Sequence, residues 1–255
     1  MMTDVLLSLR EVSRRFGGLS AVSGVSADIL SGEIFGIIGP NGAGKTTLFN
    51  VVAGYFAPSS GTVFFDGANI SGKSSDKIAR LGIGRTFQAV TVFQEHTAKE
   101  NLRRAAMVSR RYNPLVYFGT RNAGVEPDVL EQMARFTGLQ HALDSRAGSL
   151  SYGQQKMLGI GMALMGQPRL LLMDEPAAGL HTSEKKEAAQ LIRRLRDELG
   201  ITVVLVEHDM PLVMGVCDRI LVINRGVPLA LGAPDQIKSD RAVIDAYLGE
   251  EYDFA

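Results

Sequence analysis

A glycine-rich loop stands between a short apolar segment and a following run of helix-forming residues. The apolar segment is Ile34-Phe35-Gly36-Ile37-Ile38, and the loop reads Gly39-Pro-Asn-Gly-Ala-Gly-Lys45-Thr46-Thr47. In such a loop the glycines allow backbone N–H groups to turn around phosphate oxygens, and the following helix adds the positive end of its dipole. The order strand, loop, helix therefore predicts an α/β fold in which this loop binds phosphate.

The residues of this loop have predicted roles in nucleotide binding. Lys45 is expected to reach the β- and γ-phosphates as a point charge, and the Thr46 hydroxyl is expected to be a ligand of Mg²⁺. The predicted phosphate-binding residues are Gly39, Pro40, Asn41, Gly42, Ala43, Gly44, Lys45, Thr46 and Thr47. We therefore expect a nucleoside triphosphate and Mg²⁺ at this position.

Four apolar runs without polar alternation predict a parallel sheet that is covered by helices on both faces. They lie at residues 34–38, 170–173, 201–206 and 220–223. An amphipathic helix is predicted between the second and third runs, and Gly200 is expected to end it. Its apolar positions are Ala188, Ile192, Leu195 and Leu199. This strand-helix-strand order predicts a crossover between parallel strands.

The remaining parts of the chain have different patterns. Segments at residues 6–9, 25–29 and 61–65 are more mixed and are bounded by turn signals, which predicts a small antiparallel sheet. From about residue 97 to 165, helical spacing replaces the strand pattern, with a polar loop at residues 109–125. We expect one domain over residues 5–250, with a helical subdomain inserted at about 95–165, and a tail at 251–255.

Charge and composition exclude several classes of protein. The chain has 27 Lys and Arg against 27 Asp and Glu, a net charge of zero, which argues against nucleic-acid binding by bulk electrostatics and favours association with other proteins. The single cysteine, Cys217, excludes an internal disulfide and is expected to be a small buried apolar residue. We find neither a signal peptide pattern nor an apolar run of the ~18–20 residues that a membrane span requires.

Two acidic residues follow the apolar run at 170–173. Because ligands of open α/β sheets bind at the carboxyl ends of the strands, Asp174 and Glu175 are expected to lie beside the phosphate loop. Asp174 is expected to hold Mg²⁺ through water, and Glu175 is expected to polarise the attacking water. The loop and the two acids together predict a P-loop NTPase.

A second helix start with anion-binding character precedes this run. Ser151 and Gln154 form a capping box, so the helix that begins there presents N–H groups to an anion. The segment Leu150-Ser151-Tyr152-Gly153-Gln154-Gln155 resembles the signature of the nucleotide-binding subunits of ATP-binding cassette (ABC) transporters. The resemblance implies a P-loop NTPase (RecA-like) parallel sheet core with an N-terminal antiparallel β subdomain and an inserted α-helical subdomain. It also implies that Ser151, Tyr152, Gly153 and Gln154 contact the ATP held by the opposite subunit of a dimer.

The resemblance includes three further positions in the same order along the chain. Gln88 matches the glutamine that touches Mg²⁺ and the attacking water, His208 the histidine that contacts the γ-phosphate, and Phe16 the aromatic residue that stacks on adenine. A single Gln, His or Phe is more often an ordinary polar contact or core residue, so these roles depend on the shared order. Tyr152 and His181 depart from the family pattern. The family usually has an aspartate at the position of His181. Whether this position couples the two subunits of the dimer is therefore an open question.

Four longer segments narrow the resemblance to the ATPase subunits of branched-chain (hydrophobic) amino-acid importers: LSYGQQ, EPAAGL, VEHDM and AYLGE. The resemblance implies an ATP hydrolase that uses ATP and Mg²⁺ and dimerises with a second copy or a paralogous ATPase. The implied partners are integral membrane permeases and, indirectly, a secreted solute-binding protein. The implied location is the cytoplasmic face of the inner (plasma) membrane.

Several alternatives remain open at this level. Relatives of this group carry urea, amides or other small organic solutes, and an exporter ATPase differs from an importer ATPase only by family similarity. A non-transport ABC protein would usually have two cassettes or lack a catalytic residue, and a GTPase would need an Asn-Lys-x-Asp motif, which this sequence does not contain. After Gln88, the apolar residues Val92 and Phe93 are expected either to receive a permease helix or to pack on the helical insert.

Overall fold

The computed structural model describes residues 4–87, 91–109 and 127–247. The strands are β1 (Val5–Phe16), β2 (Leu19–Leu30), β3 (Ile34–Ile38), β4 (Ser60–Phe65), β5 (Ala68–Asn69), β6 (Ile83–Arg85), β7 (Leu170–Asp174), β8 (Thr202–Val206), β9 (Arg219–Asn224) and β10 (Val227–Gly232). The helices are α1 (Lys45–Val52), α2 (Ser75–Arg80), α3 (Ala98–Ser109), α4 (Pro127–Phe136), α5 (Tyr152–Leu164), α6 (Thr182–Asp197), α7 (Met210–Val216), α8 (Pro234–Ser239) and α9 (Arg241–Tyr247).

The larger sheet positions the phosphate loop. Its strand order is β10-β9-β3-β8-β7-β6, and all neighbouring pairs are parallel except β10 with β9. Every residue of β3, β7 and β8 is buried, which explains why these strands are apolar throughout rather than alternating. The four predicted strands of the parallel sheet are confirmed.

The smaller sheet is antiparallel and has the order β2-β1-β4-β5. It confirms the predicted N-terminal β-sheet, although β1 and β2 are each 12 residues long and extend beyond the predicted segments. Register shifts along their pairing interrupt the apolar alternation, which is why the sequence pattern predicted shorter strands. Leu7 of β1 and Phe35 of β3 belong to one apolar cluster, so the two sheets share a core.

The predicted amphipathic helix is α6, but one of its predicted core positions is wrong. The buried residues of α6 are Ala188, Leu191, Ile192 and Leu195. Leu199 lies beyond the end of α6 and is 46% exposed. Helix α6 ends at Asp197, and Gly200, which has a left-handed φ of +64°, turns the chain toward β8. Leu199 therefore stays outside the core.

Helices α3, α4 and α5 form a separate apolar cluster through Leu102, Leu130 and Leu158. These helices confirm the helical spacing predicted for the middle of the chain, whereas residues 110–125 of the predicted loop and the predicted tail at 251–255 lie outside the described residues. The division into one domain with an inserted subdomain stays a prediction. Within the described ranges, none of the helices has the length and apolar character needed to cross a membrane.

Candidate active site

The phosphate loop joins the carboxyl end of β3 to the first residue of α1, as the sequence predicts. Gly39 and Gly44 have φ values of +152° and +99°. A Cβ atom at Gly39 would overlap the carbonyl oxygen of Ile223, and one at Gly44 would overlap the carbonyl oxygen of Ala21. Both positions therefore require glycine, because neither the backbone conformation nor the available space admits a side chain.

The side chain of Lys45 lies over this loop, and carbonyl groups of the loop hold it there by accepting its hydrogen bonds. Its Nζ donates hydrogen bonds to the carbonyl oxygens of Gly39, at 2.5 Å, and Pro40, at 2.9 Å. Helix α1 begins at Lys45, and no side chain caps its N-terminus. The loop therefore brings an ammonium group and the positive end of a helix dipole to one place, which suits a phosphate chain.

One cavity of about 570 Å³ brings most of the predicted nucleotide-binding residues together, although Gly39 and Pro40 are not in its lining. Phe16 at the end of β1, the phosphate loop, and Glu175 after β7 all line it. The loop residues in the lining are Asn41, Gly42, Ala43, Gly44, Lys45, Thr46 and Thr47. An aromatic ring, a phosphate loop and a carboxylate thus face the same space from three different elements.

Phe16 is not a core residue. Its side chain is 39% exposed, its ring meets Phe56 edge to face at 5.2 Å, and the Arg14 guanidinium carbon lies 4.6 Å from its ring centroid. An exposed ring fixed by two neighbours at the rim of the cavity suits stacking on a base. The adenine contact itself stays a prediction.

We expect Phe16→Ala to raise the dissociation constant for ATP about tenfold, because base–aromatic stacking contributes roughly 1–3 kcal/mol. Calorimetric titration with ATP measures the change. Phe16→Tyr keeps the ring and should bind ATP like the unaltered protein, and Val227→Ala, an exposed position outside the cavity, is the matched control. Equal affinity in Phe16→Ala and the control would remove Phe16 from the site.

Asp174 ends β7 with its carboxyl group buried. Burial raises its pKa, and the positive charge of Arg85, whose Nη2 lies 3.4 Å from Oδ2, opposes that rise. Within the part of the chain that the structure describes, no cluster of three or more His, Cys, Asp and Glu residues could enclose a metal ion. Mg²⁺ needs only one or two protein oxygens because it keeps several waters, and the Asp174 carboxylate and the Thr46 hydroxyl are oxygen donors of the kind that it prefers.

Glu175 and His208 are close together at the ends of neighbouring parallel strands. His208 Nδ1 lies 3.7 Å from Glu175 Oε1, a distance too long for a direct hydrogen bond. Glu175 has a φ of +47°, and its N–H donates to the Val206 carbonyl at 2.8 Å. The structure therefore places two of the three predicted catalytic side chains, Glu175 and His208, at one edge of the sheet, with a backbone conformation at Glu175 that is uncommon for a residue with a Cβ.

Glu207 shapes this edge of the sheet, although the sequence analysis assigned it no role. Its buried carboxylate accepts hydrogen bonds from the N–H groups of Ala177 at 2.8 Å, His208 at 2.9 Å and Asp209 at 3.2 Å. It thereby fixes the turns after β7 and β8 in relation to each other. An acidic residue directly after a continuously buried strand is the signal that indicates such a role.

Arg85 is a second residue that sequence reasoning missed. Its guanidinium carbon lies within 5.2 Å of three ring centroids, and Nη1 donates to Asn50 Oδ1 at 2.7 Å. The three rings belong to Phe49, Tyr55 and Phe87. This enclosure aims the guanidinium at Asp174, so Arg85 orients the predicted Mg²⁺-holding carboxylate.

The start of α5 has the predicted capping box. The Gln154 N–H donates to Ser151 Oγ at 3.2 Å, and the Ser151 N–H donates to Gln154 Oε1 at 3.0 Å. The exposed ring of Tyr152 packs against Gly179. Ser151, Gly153 and Gln154 line a cavity of about 370 Å³ that shares no lining residue with the cavity of the phosphate loop. The two helix starts that are predicted to bind anions thus face different spaces.

Gln88 lies outside the described residues, and so do positions 89 and 90. The apolar residues that follow differ from each other. Val92 packs on the cluster formed by α3, α4 and α5, whereas Phe93 is 52% exposed. Phe93 lines an apolar groove of about 660 Å³ together with Phe87, Met107, Ile160, Met162 and Ala163. Val92 thus packs on the helices, as one of the two alternatives expects, and Phe93 is exposed in the groove, whereas contact with a permease stays a prediction.

Two protein-family models match parts of this chain. Residues 22–178 match the family described as ABC transporter, and residues 227–253 match the family described as branched-chain amino acid ATP-binding cassette transporter. The chain is 43% identical to the high-affinity branched-chain amino acid transport ATP-binding protein BraF of Pseudomonas aeruginosa, over 98% of this chain and 100% of BraF. It is 42% identical to LivG of Escherichia coli, which has the same description, with the same coverage.

Solved structures give the same fold. The ADP conformation of MJ1267, an ATP-binding cassette of an ABC transporter, is 33% identical, with a TM-score of 0.85 over 97% of this chain and 100% of that chain. The cassette MJ0796, solved as a dimer in a post-hydrolysis state with bound ADP and Pi, is 25% identical, with a TM-score of 0.74 over 90% of this chain and 99% of that chain. The predicted P-loop NTPase fold is confirmed.

Proposed function

The chain belongs to the ABC transporter ATP-binding family, and from this we propose that it is the ATP-hydrolysing subunit of an importer for branched-chain amino acids. The observation that carries the proposal is that the phosphate loop and Glu175 line one cavity. The solute class is inferred from BraF and LivG, which are similar to this chain over almost its whole length.

In the proposed site, the residues divide the work of hydrolysis among them. Lys45 and the start of α1 neutralise the phosphate chain. Thr46 and Asp174 hold Mg²⁺, which offsets phosphate charge when bound. Glu175 polarises the attacking water, and His208 contacts the γ-phosphate. Gln88, three residues after the end of β6 in the sequence, is proposed to touch the same water and ion.

Each ATP is proposed to be enclosed between two ATPase subunits. The signature residues Ser151, Gly153 and Gln154 face a cavity separate from the phosphate loop of their own chain, so they have an anion-binding helix start to offer to a second subunit. The related cassette MJ0796 is a dimer in its post-hydrolysis state. The second subunit is either another copy of this chain or a paralogous ATPase, and ATP joins the two because each helix start offsets phosphate charge across the interface.

The apolar groove containing Phe93 is the proposed contact with a membrane permease, and the cytoplasmic face of the inner membrane is the proposed location of the chain. Its lining includes Phe87, Phe93 and residues of α5, and a short apolar helix is the proposed occupant. The zero net charge of the chain is consistent with a surface that associates with other proteins.

A cysteine at Phe93, in a Cys217→Ala background, is expected to crosslink to a permease subunit in the assembled transporter. Phe93 is exposed and lines the groove, whereas Cys217 is buried, and burial raises the pKa of its thiol. Immunoblotting after addition of a short reagent that joins the new thiol to a lysine amine detects the product. Leu199→Cys in the same background is the control, because Leu199 is exposed but lies outside the groove. Crosslinking from Leu199→Cys alone would place the permease elsewhere.

The solute is tested with the solute-binding protein that serves the same transporter. Calorimetry of that protein with leucine, isoleucine, valine, urea and a short amide gives its ligand directly. Tight binding of the three branched-chain amino acids, with no heat from urea or the amide, supports the proposal. Binding of urea or the amide alone would assign a different solute, and a transporter that works without any binding protein would favour an exporter.

A further inference from the structure

Lys156 is a buried lysine on α5, one helical turn after Tyr152. Its side chain is almost enclosed, with 7% of the residue exposed. Nζ donates to the carbonyl oxygen of Glu175 at 2.8 Å and is 3.4 Å from the carbonyl oxygen of Pro176. Burial of an ammonium group is unfavourable, and it lowers the pKa of Lys156, so the contacts with this turn must compensate for lost water.

The turn that Lys156 contacts contains a backbone conformation that the surroundings must maintain. The φ of +47° at Glu175 lies in the left-handed region, which is unfavourable for a residue with a Cβ. On one side, Val206 accepts the Glu175 N–H at 2.8 Å, and Glu207 accepts the Ala177 N–H at 2.8 Å. On the other side, the turn is held by Lys156.

Lys156 also connects this turn to the start of α5. It lies in the same helix as the capping box, and its Nζ is 5.5 Å from the ring centroid of Tyr152, which packs against Gly179 beyond the same turn. A displacement of the helix start relative to the turn after β7 would therefore change the Lys156 contacts. The carbonyl group of Glu175 would move with such a displacement, because it accepts the Lys156 hydrogen bond.

We propose that Lys156 is a positioning residue that fixes the backbone of Glu175 and ties its geometry to the signature start of α5. The inference rests on the proposed function, in which Glu175 acts on the ATP of its own subunit and Ser151 contacts the ATP of the opposite subunit. Lys156 then links the two ATP sites of the dimer. When the signature residues of a subunit close on the ATP of the opposite subunit, Lys156 positions the Glu175 carboxylate at the ATP of its own subunit.

The test is Lys156→Met in the assembled transporter, because methionine keeps the length and volume of the side chain and removes the ammonium group. We expect kcat for ATP hydrolysis to fall about tenfold or more, since the carbonyl oxygens of Glu175 and Pro176 lose their donor, while the KM for ATP stays within about twofold. The Hill coefficient for ATP is expected to fall toward one. Lys156→Arg, which keeps donors and charge, should recover most of the rate, and Lys186→Met, an exposed lysine on α6, should behave like the unaltered protein.

Two results would overturn the inference. One is a kcat of Lys156→Met within about twofold of the unaltered protein, and the other is a loss of ATP affinity as large as the loss of kcat, which would indicate a merely structural role. If Lys156→Met does not bind ATP at all, Lys156→Gln takes its place under the same criteria. Glu175→Gln measured in parallel separates the levels: full turnover in that variant contradicts the proposed function, whereas an inactive Glu175→Gln beside a fully active Lys156→Met contradicts only the role of Lys156.

Discussion

Glu175→Gln is expected to lower ATP turnover at least about a hundredfold and to leave ATP affinity within about threefold of the unaltered protein. General base catalysis by a positioned carboxylate contributes roughly 10²–10⁴-fold, and an amide cannot take up a proton from the attacking water. The side chain keeps its shape, and the phosphate loop that binds ATP is untouched. Phosphate release measures turnover, and calorimetry measures affinity.

Glu131→Gln is the matched control for this variant. Glu131 is an exposed residue of α4 whose only described ion pair is a surface contact with Arg135 at 3.5 Å, so its loss should change neither quantity. Turnover in Glu175→Gln equal to that of the control would mean that another group activates water. His208, 3.7 Å from Glu175, would then be the next residue to test.

Lys45→Ala is expected to weaken ATP binding about a hundredfold or more. Hydrogen bonds to charged groups contribute roughly 1.5–3 kcal/mol each, and Lys45 supplies the ammonium group nearest to the loop that cradles the phosphates. The expected change is larger for ATP than for adenosine, because adenosine has no phosphates for Lys45 to meet. Calorimetric titration with both ligands separates loss of the phosphate contact from general disruption of the site.

Lys238→Ala, an exposed lysine of α8, serves as the control for loss of a positive charge. A second measurement is the rise in unfolding temperature on addition of ATP, which follows from ligand binding to the native state and should be lost in Lys45→Ala only. An undiminished ATP affinity in Lys45→Ala would contradict the assignment of the loop as the phosphate site.

The sequence predicts those parts of the structure that are determined by residues close together along the chain. The loop between β3 and α1 is marked by glycines whose positive φ values and close backbone contacts admit no side chain. The start of α5 is marked by the reciprocal hydrogen bonds of Ser151 and Gln154, three residues apart. Strands buried on both faces are continuously apolar, so β3, β7 and β8 were recognisable from their composition alone.

The contacts that orient the site join residues far apart in the chain, and no local pattern announces them. Arg85 forms an ion pair with Asp174, and Lys156 donates a hydrogen bond to the Glu175 carbonyl, only because β6, β7 and α5 come together in the fold. Leu199 shows the reverse error: it continues the helical spacing of α6, but the turn at Gly200 removes it from the core. Pattern arguments therefore identify the groups that bind and react, and the structure identifies the groups that hold them in position.

The most direct test of the central claim, that ATP hydrolysis by this chain drives solute import, is uptake of radiolabelled leucine by vesicles containing the assembled transporter, its solute-binding protein and ATP on the ATPase side. With the unaltered chain, we expect uptake that depends on ATP and is accompanied by phosphate release. With Glu175→Gln, we expect neither sustained uptake nor phosphate release. Sustained leucine uptake at the unaltered rate with Glu175→Gln would contradict the claim.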